Sequence, residues 1–279
     1  QISLANNSFK DCDGQLASFD TWEPQNSTGS GTFNLYTGTQ KSVNTFFAQL
    51  EQRTGLCEPV TLARKMGVQV PQRDVVPPFT LGVTDTDPLT MAAAYATFAA
   101  RGEYCAPRPL TAVLNANGKV IESYPEECEQ LLPQPAADAV NDILRGVQEP
   151  GGFGYTAGIN TAQPSAGKTG TIDSNMAVWF IGYTPNLATA SMIAGANAQG
   201  EWITLNGQTV GGRFISEAFG STFAGPMWGD AMKRVEQWLP DTDFSIPDPT
   251  AIQGRLVRLR AERDVMTEAE EYLASSKQK

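Results

Sequence analysis

Histidine is absent from all 279 residues of this chain. A Ser-His-Asp triad, a Cys-His dyad and an H-E-x-x-H zinc site each need an imidazole, so none of them can exist within it. Any proton transfer must therefore use lysine, carboxylate, tyrosine or hydroxyl groups. We expect no metal and no cofactor.

Basic charge and long apolar runs are also scarce. The chain has 20 Lys and Arg against 30 Asp and Glu, a net charge of −10. Because nucleic-acid binding needs a basic face, we expect no nucleic-acid partner. The chain contains no run of about 18 apolar residues, the length that could span a membrane. Gln1 does not open a signal peptide. Apolar residues still make up 41% of the chain, which predicts a globular core.

The four cysteines, Cys12, Cys57, Cys105 and Cys128, lack the C-x-x-C spacing of zinc or redox sites. An even number of dispersed cysteines suits structural disulfides. We favour Cys12 with Cys57 and Cys105 with Cys128. Four cysteines allow three connectivities, however, and four buried free thiols remain an alternative.

Apolar periodicity predicts helices early in the chain and again near its end, with strands between them. The first 40 residues are expected to form loops and short strands. Helices are predicted over 42–55, with Gly55 at its C-terminal end, over 60–67 and over 86–102, with Asp87 as its N-cap, and then in PAADAVNDILRGVQ and PMWGDAMKRVEQWL. A hairpin is predicted around Asn117-Gly118, and three later runs, MAVWFIGY, LATASMIAGA and EWITL, predict an antiparallel meander. This order predicts an α+β fold.

Residues 164–185 contain two overlapping catalytic patterns. Ser165 to Lys168 matches the Ser-x-x-Lys of serine acyltransferases. Lys168-Thr169-Gly170 matches the Lys-Thr-Gly that such enzymes place on a different element. One lysine cannot serve both, because the first pattern needs a neutral base on a helix and the second a cation on a strand. The glycine loop before Lys168 and the apolar run after it favour the strand, with Lys168 accessible at the edge of a groove.

Five blocks, SVN, PLTMAAAYATFAARG, SAGKTGT, AVWFIGYTP and AGPMWGDAM, resemble in order and spacing the transpeptidase domain of class A penicillin-binding proteins. The block TGTQKSVNTFFAQLEQRTGLC looks most like the versions of high-GC Gram-positive bacteria. The resemblance covers roughly residues 20 to 239. It implies a penicillin-binding protein/serine β-lactamase-like fold, in which an antiparallel sheet packs with helices beside a mostly helical subdomain. Residues 1–239 would be the C-terminal portion of that domain, and 240–279 a Pro/Asp-rich linker with a charged extension.

The resemblance also implies a set of site residues. Ser42 would relay protons, Asn44 would bind the substrate amide, and Lys168 would place positive charge near the substrate carboxylate. The substrate-binding residues would be Thr169, Gly170 and Thr171, with the two hydroxyls on that carboxylate and the Thr171 N–H in the oxyanion hole. The alternative interpretation of Ser42 is an ordinary helix N-cap.

The family's nucleophile belongs to a Ser-x-x-Lys motif some tens of residues before Ser-x-Asn, which would fall upstream of residue 1. The implied reaction is D,D-transpeptidation of peptidoglycan stem peptides ending in D-Ala-D-Ala, through a serine acyl-enzyme that β-lactam antibiotics inhibit. The implied location is the extracytoplasmic face of the cell membrane, with an anchor outside this chain. A D,D-carboxypeptidase, a serine β-lactamase and a non-catalytic binding module remain alternatives.

Overall fold

The computed structural model describes residues 2–16, 18 and 20–249 of the chain. The charged segment after Gly254, which the sequence predicts to be a solvated helix, lies outside the described residues. Within them, an antiparallel sheet lies between helices on its two faces, and a second helical region packs around its own core. The predicted α+β class is confirmed.

The predicted helices are present, together with two short helices that were not predicted. They are α1 (Leu35–Gln40), α2 (Asn44–Thr54), α3 (Cys57–Lys65), α4 (Pro88–Ala99), α5 (Gln134–Arg145), the single turn α6 (Phe153–Thr156) and α7 (Gly225–Val235). Asp87 caps α4 by accepting the Thr90 N–H at 3.0 Å, as its sequence predicts. Gly55 ends α2 with a φ of +80°, a conformation that favours glycine. Neither α1 nor α6 was predicted, because loops were expected in both stretches.

Short strand pairs lie outside the main sheet. The first forty residues contain β1 (Leu4–Ala5), β2 (Lys10–Asp11), β3 (Gly14–Gln15) and β4 (Thr21–Trp22). Later pairs join β5 (Glu103–Cys105) to β8 (Cys128–Gln130), and β6 (Ala112–Leu114) to β7 (Val120–Ser123). The β6–β7 pair is the hairpin predicted around Asn117-Gly118, and nearly all of it is exposed.

The main sheet consists, among the described residues, of β9 (Ala166–Thr171), β10 (Ala177–Thr184) and β11 (Leu187–Ala194), with β10 in the centre. Both neighbouring pairs are antiparallel, and Lys168 lies opposite Ile181. Two of the three predicted strands are therefore confirmed, and Lys168 is on an edge strand as expected.

The prediction that EWITL forms the third strand is wrong. Trp202 makes only an isolated bridge to Ala196, because a tight turn brings the chain back immediately after β11. Asn197 closes this turn by accepting the Glu201 N–H at 2.9 Å through its side chain, and Gly200 adopts a φ of +82°. The next pair, β12 (Gln208–Val210) and β13 (Arg213–Ile215), forms a separate hairpin.

Both faces of the central strand β10 are covered. On one face, Val178 and Phe180 pack against Trp228 and Met232 of α7. On the other, Tyr183 packs with side chains of α4 and α5. Full burial of one such large side chain contributes about 1.5–3 kcal/mol. The sheet is thus held rigidly between two helical layers, and this fixes the path of β9.

The helical region around α2 and α3 has a separate core that includes Phe9, Leu56 and Val60. A disulfide between Cys12 and Cys57 ties the first strands to the start of α3. A second disulfide, Cys105–Cys128, joins β5 to β8. These are the two pairings that we favoured, and each disulfide typically adds about 2–4 kcal/mol to stability.

The first residues of the predicted linker, 240–249, contact the sheet region. Phe244 is buried and packs edge-on against Tyr183, with ring centroids 5.6 Å apart. The division at 239/240 remains a prediction. Among the described residues, no helix is long and apolar enough to cross a membrane.

Candidate functional site

Ser42 lies in the two-residue connection between α1 and the N-cap of α2. Its φ is +51°, a left-handed conformation that is uncommon outside glycine. Its N–H donates to the Thr39 carbonyl at 3.1 Å, and the next N–H, of Val43, donates to the Gly38 carbonyl at 2.9 Å. The connection is therefore folded back onto α1, and this strained backbone presents the Ser42 side chain at a defined position.

Lys168 meets Ser42 across 126 residues of sequence. Its Nζ donates to the Ser42 Oγ at 2.7 Å and to the Thr169 carbonyl at 3.0 Å. Lys168 sits in the middle of β9, whose pairing with β10 fixes its backbone. Two of the predicted catalytic residues are thus in direct contact.

The alternative interpretation of Ser42 as a helix N-cap is wrong. The N-cap residue of α2 is Val43, which has no side-chain capping bond. The Asn26 side chain instead accepts the Thr45 N–H at 2.9 Å, near the start of the helix. The Ser42 hydroxyl is therefore used by Lys168 and not by the helix terminus.

The amine of Lys168 is poorly hydrated. The side chain as a whole is half-buried, so Lys168 is less accessible than we expected for a lysine at a groove edge. Burial of the amine lowers the pKa of Lys168 from 10.5 to about 8. Roughly nine-tenths of the amines are still protonated at pH 7. No carboxylate forms an ion pair with Lys168 within residues 2–16, 18 and 20–249, so an anionic ligand would supply the counter-charge.

The Lys-Thr-Gly-Thr run continues along the same edge strand. The Thr169 Oγ is 3.5 Å from Lys168 Nζ, and Gly170 lies beside Trp179. The exposed Thr171 uses its Oγ to accept the Gly220 N–H at 3.1 Å, which leaves the hydroxyl proton available to a ligand.

Gly220 is a residue that our sequence reasoning missed. It begins a wide helical turn, Gly220–Ala224, that leads into α7. A Cβ at this position would lie 2.6 Å from the Gly170 carbonyl oxygen, so only glycine permits the close approach to β9. The signal in the sequence that could have indicated this residue was the pair of glycines, Gly220 and Gly225, on either side of Ser-Thr-Phe-Ala.

Asn44, the third predicted catalytic residue, is the first residue of α2. Its Nδ2 donates to the Gln25 carbonyl at 2.8 Å. That bond fixes the plane of the Asn44 side-chain amide, two residues after Ser42. A role for its oxygen toward a substrate remains a prediction.

Ser165, the serine of the competing Ser-x-x-Lys pattern, is buried and already bonded. Its Oγ accepts from Thr161 Oγ at 2.9 Å and from Gln148 Nε2 at 3.2 Å. Lys168 follows on a strand, not on the next turn of a helix, and residues three apart on a strand point to opposite faces. The two side chains are therefore not arranged as nucleophile and base.

A hydroxyl bonded to a partly desolvated ammonium, on a strand that lies at the edge of the sheet among the described residues, suits binding of a carboxylate and relay of protons. In the described part of the chain, no group of three His, Cys, Asp or Glu residues could hold a metal ion.

A family model described as the penicillin binding protein transpeptidase domain matches residues 2–216. The chain is 30% identical over 233 residues to penicillin-binding protein 1A of Aquifex aeolicus, covering 82% of this chain and 29% of that protein. It is 32% identical over 184 residues to penicillin-binding protein 1A of Mycolicibacterium smegmatis, covering 62% of this chain and 21% of that protein. The chain thus spans less than a third of the curated relatives named here.

Solved structures support the same fold. PonA1 of Mycobacterium tuberculosis, solved with penicillin V, is 27% identical with a TM-score of 0.60, covering 79% of this chain and 61% of that one. The chain is also similar to penicillin-binding protein 1A of Haemophilus influenzae, with 21% identity and a TM-score of 0.66. The match covers 84% of this chain and 39% of that one, and it shows the fold alone. The predicted fold and the resemblance to class A domains are confirmed.

Proposed function

Since the chain belongs to the family of penicillin-binding protein transpeptidase domains, we propose that it forms part of a serine-type D-Ala-D-Ala transpeptidase that cross-links peptidoglycan stem peptides. The observation that carries this proposal is the 2.7 Å contact of Lys168 Nζ with Ser42 Oγ. Two motifs far apart in sequence meet there, in the arrangement that acyl transfer to and from a serine needs.

We place the nucleophile in a Ser-x-x-Lys segment of the same protein, upstream of residue 1. Its lysine, as a neutral amine, takes the serine proton while the serine oxygen attacks the D-Ala-D-Ala carbonyl carbon. The C–N bond then breaks, and the departing D-Ala nitrogen receives a proton through Ser42. The ester that remains is opened by the amine of a second stem peptide, which forms the cross-link and restores the serine.

Lys168 acts on the substrate through its charge. A unit charge pair 4 Å apart near a protein surface interacts by about 4 kcal/mol before desolvation is subtracted, which is ample to select a terminal carboxylate. The hydroxyls of Thr169 and Thr171 would donate to the same carboxylate. Asn44 would hold the substrate amide, and Gly170 would let the peptide approach the outer edge of β9, which pairs only with β10 among the described strands.

A feature on the other side of the sheet supports a contribution from a further segment. The outer edge of β11 is unpaired within the described residues, and a groove of about 400 Å³ lies between this strand and α7. Its lining is mainly apolar and includes Leu187, Met192 and Met227. An uncovered apolar strand edge promotes aggregation, so we propose that another part of the protein covers it. The same protein would be anchored at the extracytoplasmic face of the membrane by a segment outside this chain.

Labelling with a fluorescent penicillin tests the proposal on the full-length protein. We expect a covalent, long-lived acyl-enzyme in the wild type. Lys168→Ala should slow acylation by about 100-fold, the effect of losing roughly 2.7 kcal/mol of transition-state stabilisation. Ser165→Ala is the comparison and should still be acylated, with a loss of rate far smaller than that of Lys168→Ala, because Ser165 has a structural role here.

Other outcomes identify the alternatives. Rapid hydrolysis of the penicillin would indicate a β-lactamase, and release of D-Ala without cross-linked product would indicate a carboxypeptidase. Absence of covalent label in the full-length protein would indicate a non-catalytic module. Loss of labelling in Ser165→Ala with Lys168→Ala unaffected would overturn the assignment of Lys168.

A further inference from the structure

The contact between Ser42 and Lys168 joins two elements that do not adjoin each other in sequence, so something must hold them in register. Ser42 follows α1, and Lys168 lies on β9. The segment 146–150, immediately after α5, contacts both elements through side chains. We call this segment the bracket.

On one side the bracket holds α1. The Tyr36 hydroxyl donates to the Glu149 carboxylate, and Gln40 Nε2 donates to the Gly146 carbonyl at 3.1 Å. The Tyr36 ring lies against Gly146 so closely that a Cβ there would be 2.6 Å from the ring. Burial, and then the bond to Glu149, raises the pKa of Tyr36 to about 12, so its hydroxyl remains a donor at neutral pH.

On the other side the bracket holds the start of β9. Gln148 Nε2 donates to Ser165 Oγ at 3.2 Å, and Ser165 directly precedes the strand. Neighbouring residues of the bracket, Gln148 and Glu149, thus reach to opposite elements. Lys168 lies only three residues after Ser165 along β9. Ser42 lies about one and a half helical turns after Tyr36 along α1.

We infer that Tyr36, Gln148 and Glu149 are positioning residues that fix the distance between Ser42 Oγ and Lys168 Nζ. None of them needs to touch the substrate. Displacement of a catalytic group by about 1 Å can cost roughly 100-fold in rate, so a loosened bracket should slow the chemical step while leaving ligand binding nearly unchanged. This inference rests on the proposed function for its kinetic readout.

The test uses the full-length protein and separates the noncovalent dissociation constant for penicillin from the first-order acylation rate constant. Tyr36→Phe removes only the hydroxyl, and Glu149→Ala removes its acceptor. We expect each to lower the acylation rate constant by about tenfold, with the dissociation constant changed by less than about twofold. Tyr155→Phe is the matched control, since its side chain lies close by in sequence and is 45% exposed.

Glu149→Gln provides the rescue, because a carboxamide oxygen still accepts from Tyr36, and it should acylate within about threefold of wild type. Wild-type rates in both Tyr36→Phe and Glu149→Ala would overturn the inference. Equal losses in Glu149→Gln and Glu149→Ala would also overturn it, since the hydrogen bond would then not be what matters.

If the wild-type protein itself is not acylated, the proposed function fails and a second readout decides the inference independently. A crystal structure of Tyr36→Phe should show Ser42 Oγ and Lys168 Nζ separated by more than about 3.5 Å, beyond hydrogen-bonding distance. Retention of the 2.7 Å contact in that variant would refute the positioning role.

Discussion

Replacement of Lys168 by methionine should leave the stability of the folded domain nearly unchanged at neutral pH, because the removal of a disfavoured charge offsets the loss of two hydrogen bonds. Methionine keeps an unbranched apolar stem of similar length and lacks the ammonium that burial disfavours. The pKa of Lys168 falls from 10.5 to about 8 on folding, which corresponds to about 3 kcal/mol of disfavoured charge at pH 7. Because the side chain is half-buried and solvent screens part of this effect, we discount it to about 2 kcal/mol.

The hydrogen bonds to the Ser42 hydroxyl and to the Thr169 carbonyl oppose this gain. A typical hydrogen bond contributes about 0.5–1.5 kcal/mol, so the two together offset the gain and Lys168→Met should change stability at pH 7 by less than about 1 kcal/mol. Urea unfolding monitored by tryptophan fluorescence measures it. The exposed Lys119→Met, in the β6–β7 hairpin, is the control and should change stability by less than about 0.5 kcal/mol.

The pH dependence provides the sharper check. Between pH 8 and 10.5 the unfolded chain holds a proton on Lys168 that the folded protein has released, so wild-type stability rises relative to the variant across this window. The free-energy cost of burying the protonated Lys168 amine is fully present below pH 8 and is lost as the pH approaches 10.5. A stability difference between wild type and Lys168→Met that stays constant from pH 7 to 10.5 would refute a desolvated amine at this site.

Three further predictions concern other parts of the fold. Gly220→Ala should destabilise the domain by about 1–3 kcal/mol in thermal unfolding, because the new methyl group meets the Gly170 carbonyl; an unchanged Tm would contradict that packing. Burial raises the pKa of Glu51 to about 8, so wild-type stability should fall as the pH rises from 4.5 to 8, and Glu51→Gln should remove this slope in urea titrations at several pH values. Thiol titration of the unfolded protein without reductant should find no free thiol among the four cysteines, whereas four reactive thiols would rule out the disulfides.

Sequence reasoning was successful where a local pattern determines structure. The cap at Asp87, the glycine that ends α2 and the strand that carries Lys168 each depend on neighbours within a few residues. The α+β class followed from the order of these elements. The EWITL prediction was wrong because the chain makes only the single bridge from Trp202 to Ala196 after the tight turn at Asn197, and a short apolar run does not show how far strand pairing continues.

The features that the sequence did not reveal depend on distant contacts. The desolvation of the Lys168 amine arises only when α1 and β9 meet. Tyr36 and Glu149 are 113 residues apart, and neither lies in a recognisable motif. The residues of a motif can therefore be read from the chain, whereas the residues that hold the motif in place are seen only in the folded protein.

The Cys105–Cys128 disulfide closes the base of an arm that has almost no core of its own. Residues 106–127 beyond it are largely exposed, including the strands β6 and β7. With so little buried apolar surface, the arm should open and close locally, at a free-energy cost well below that of global unfolding. The disulfide keeps the two ends of the arm together during such openings. Proteases would then nick the arm first, and the two fragments would remain covalently joined and folded until a reductant separated them.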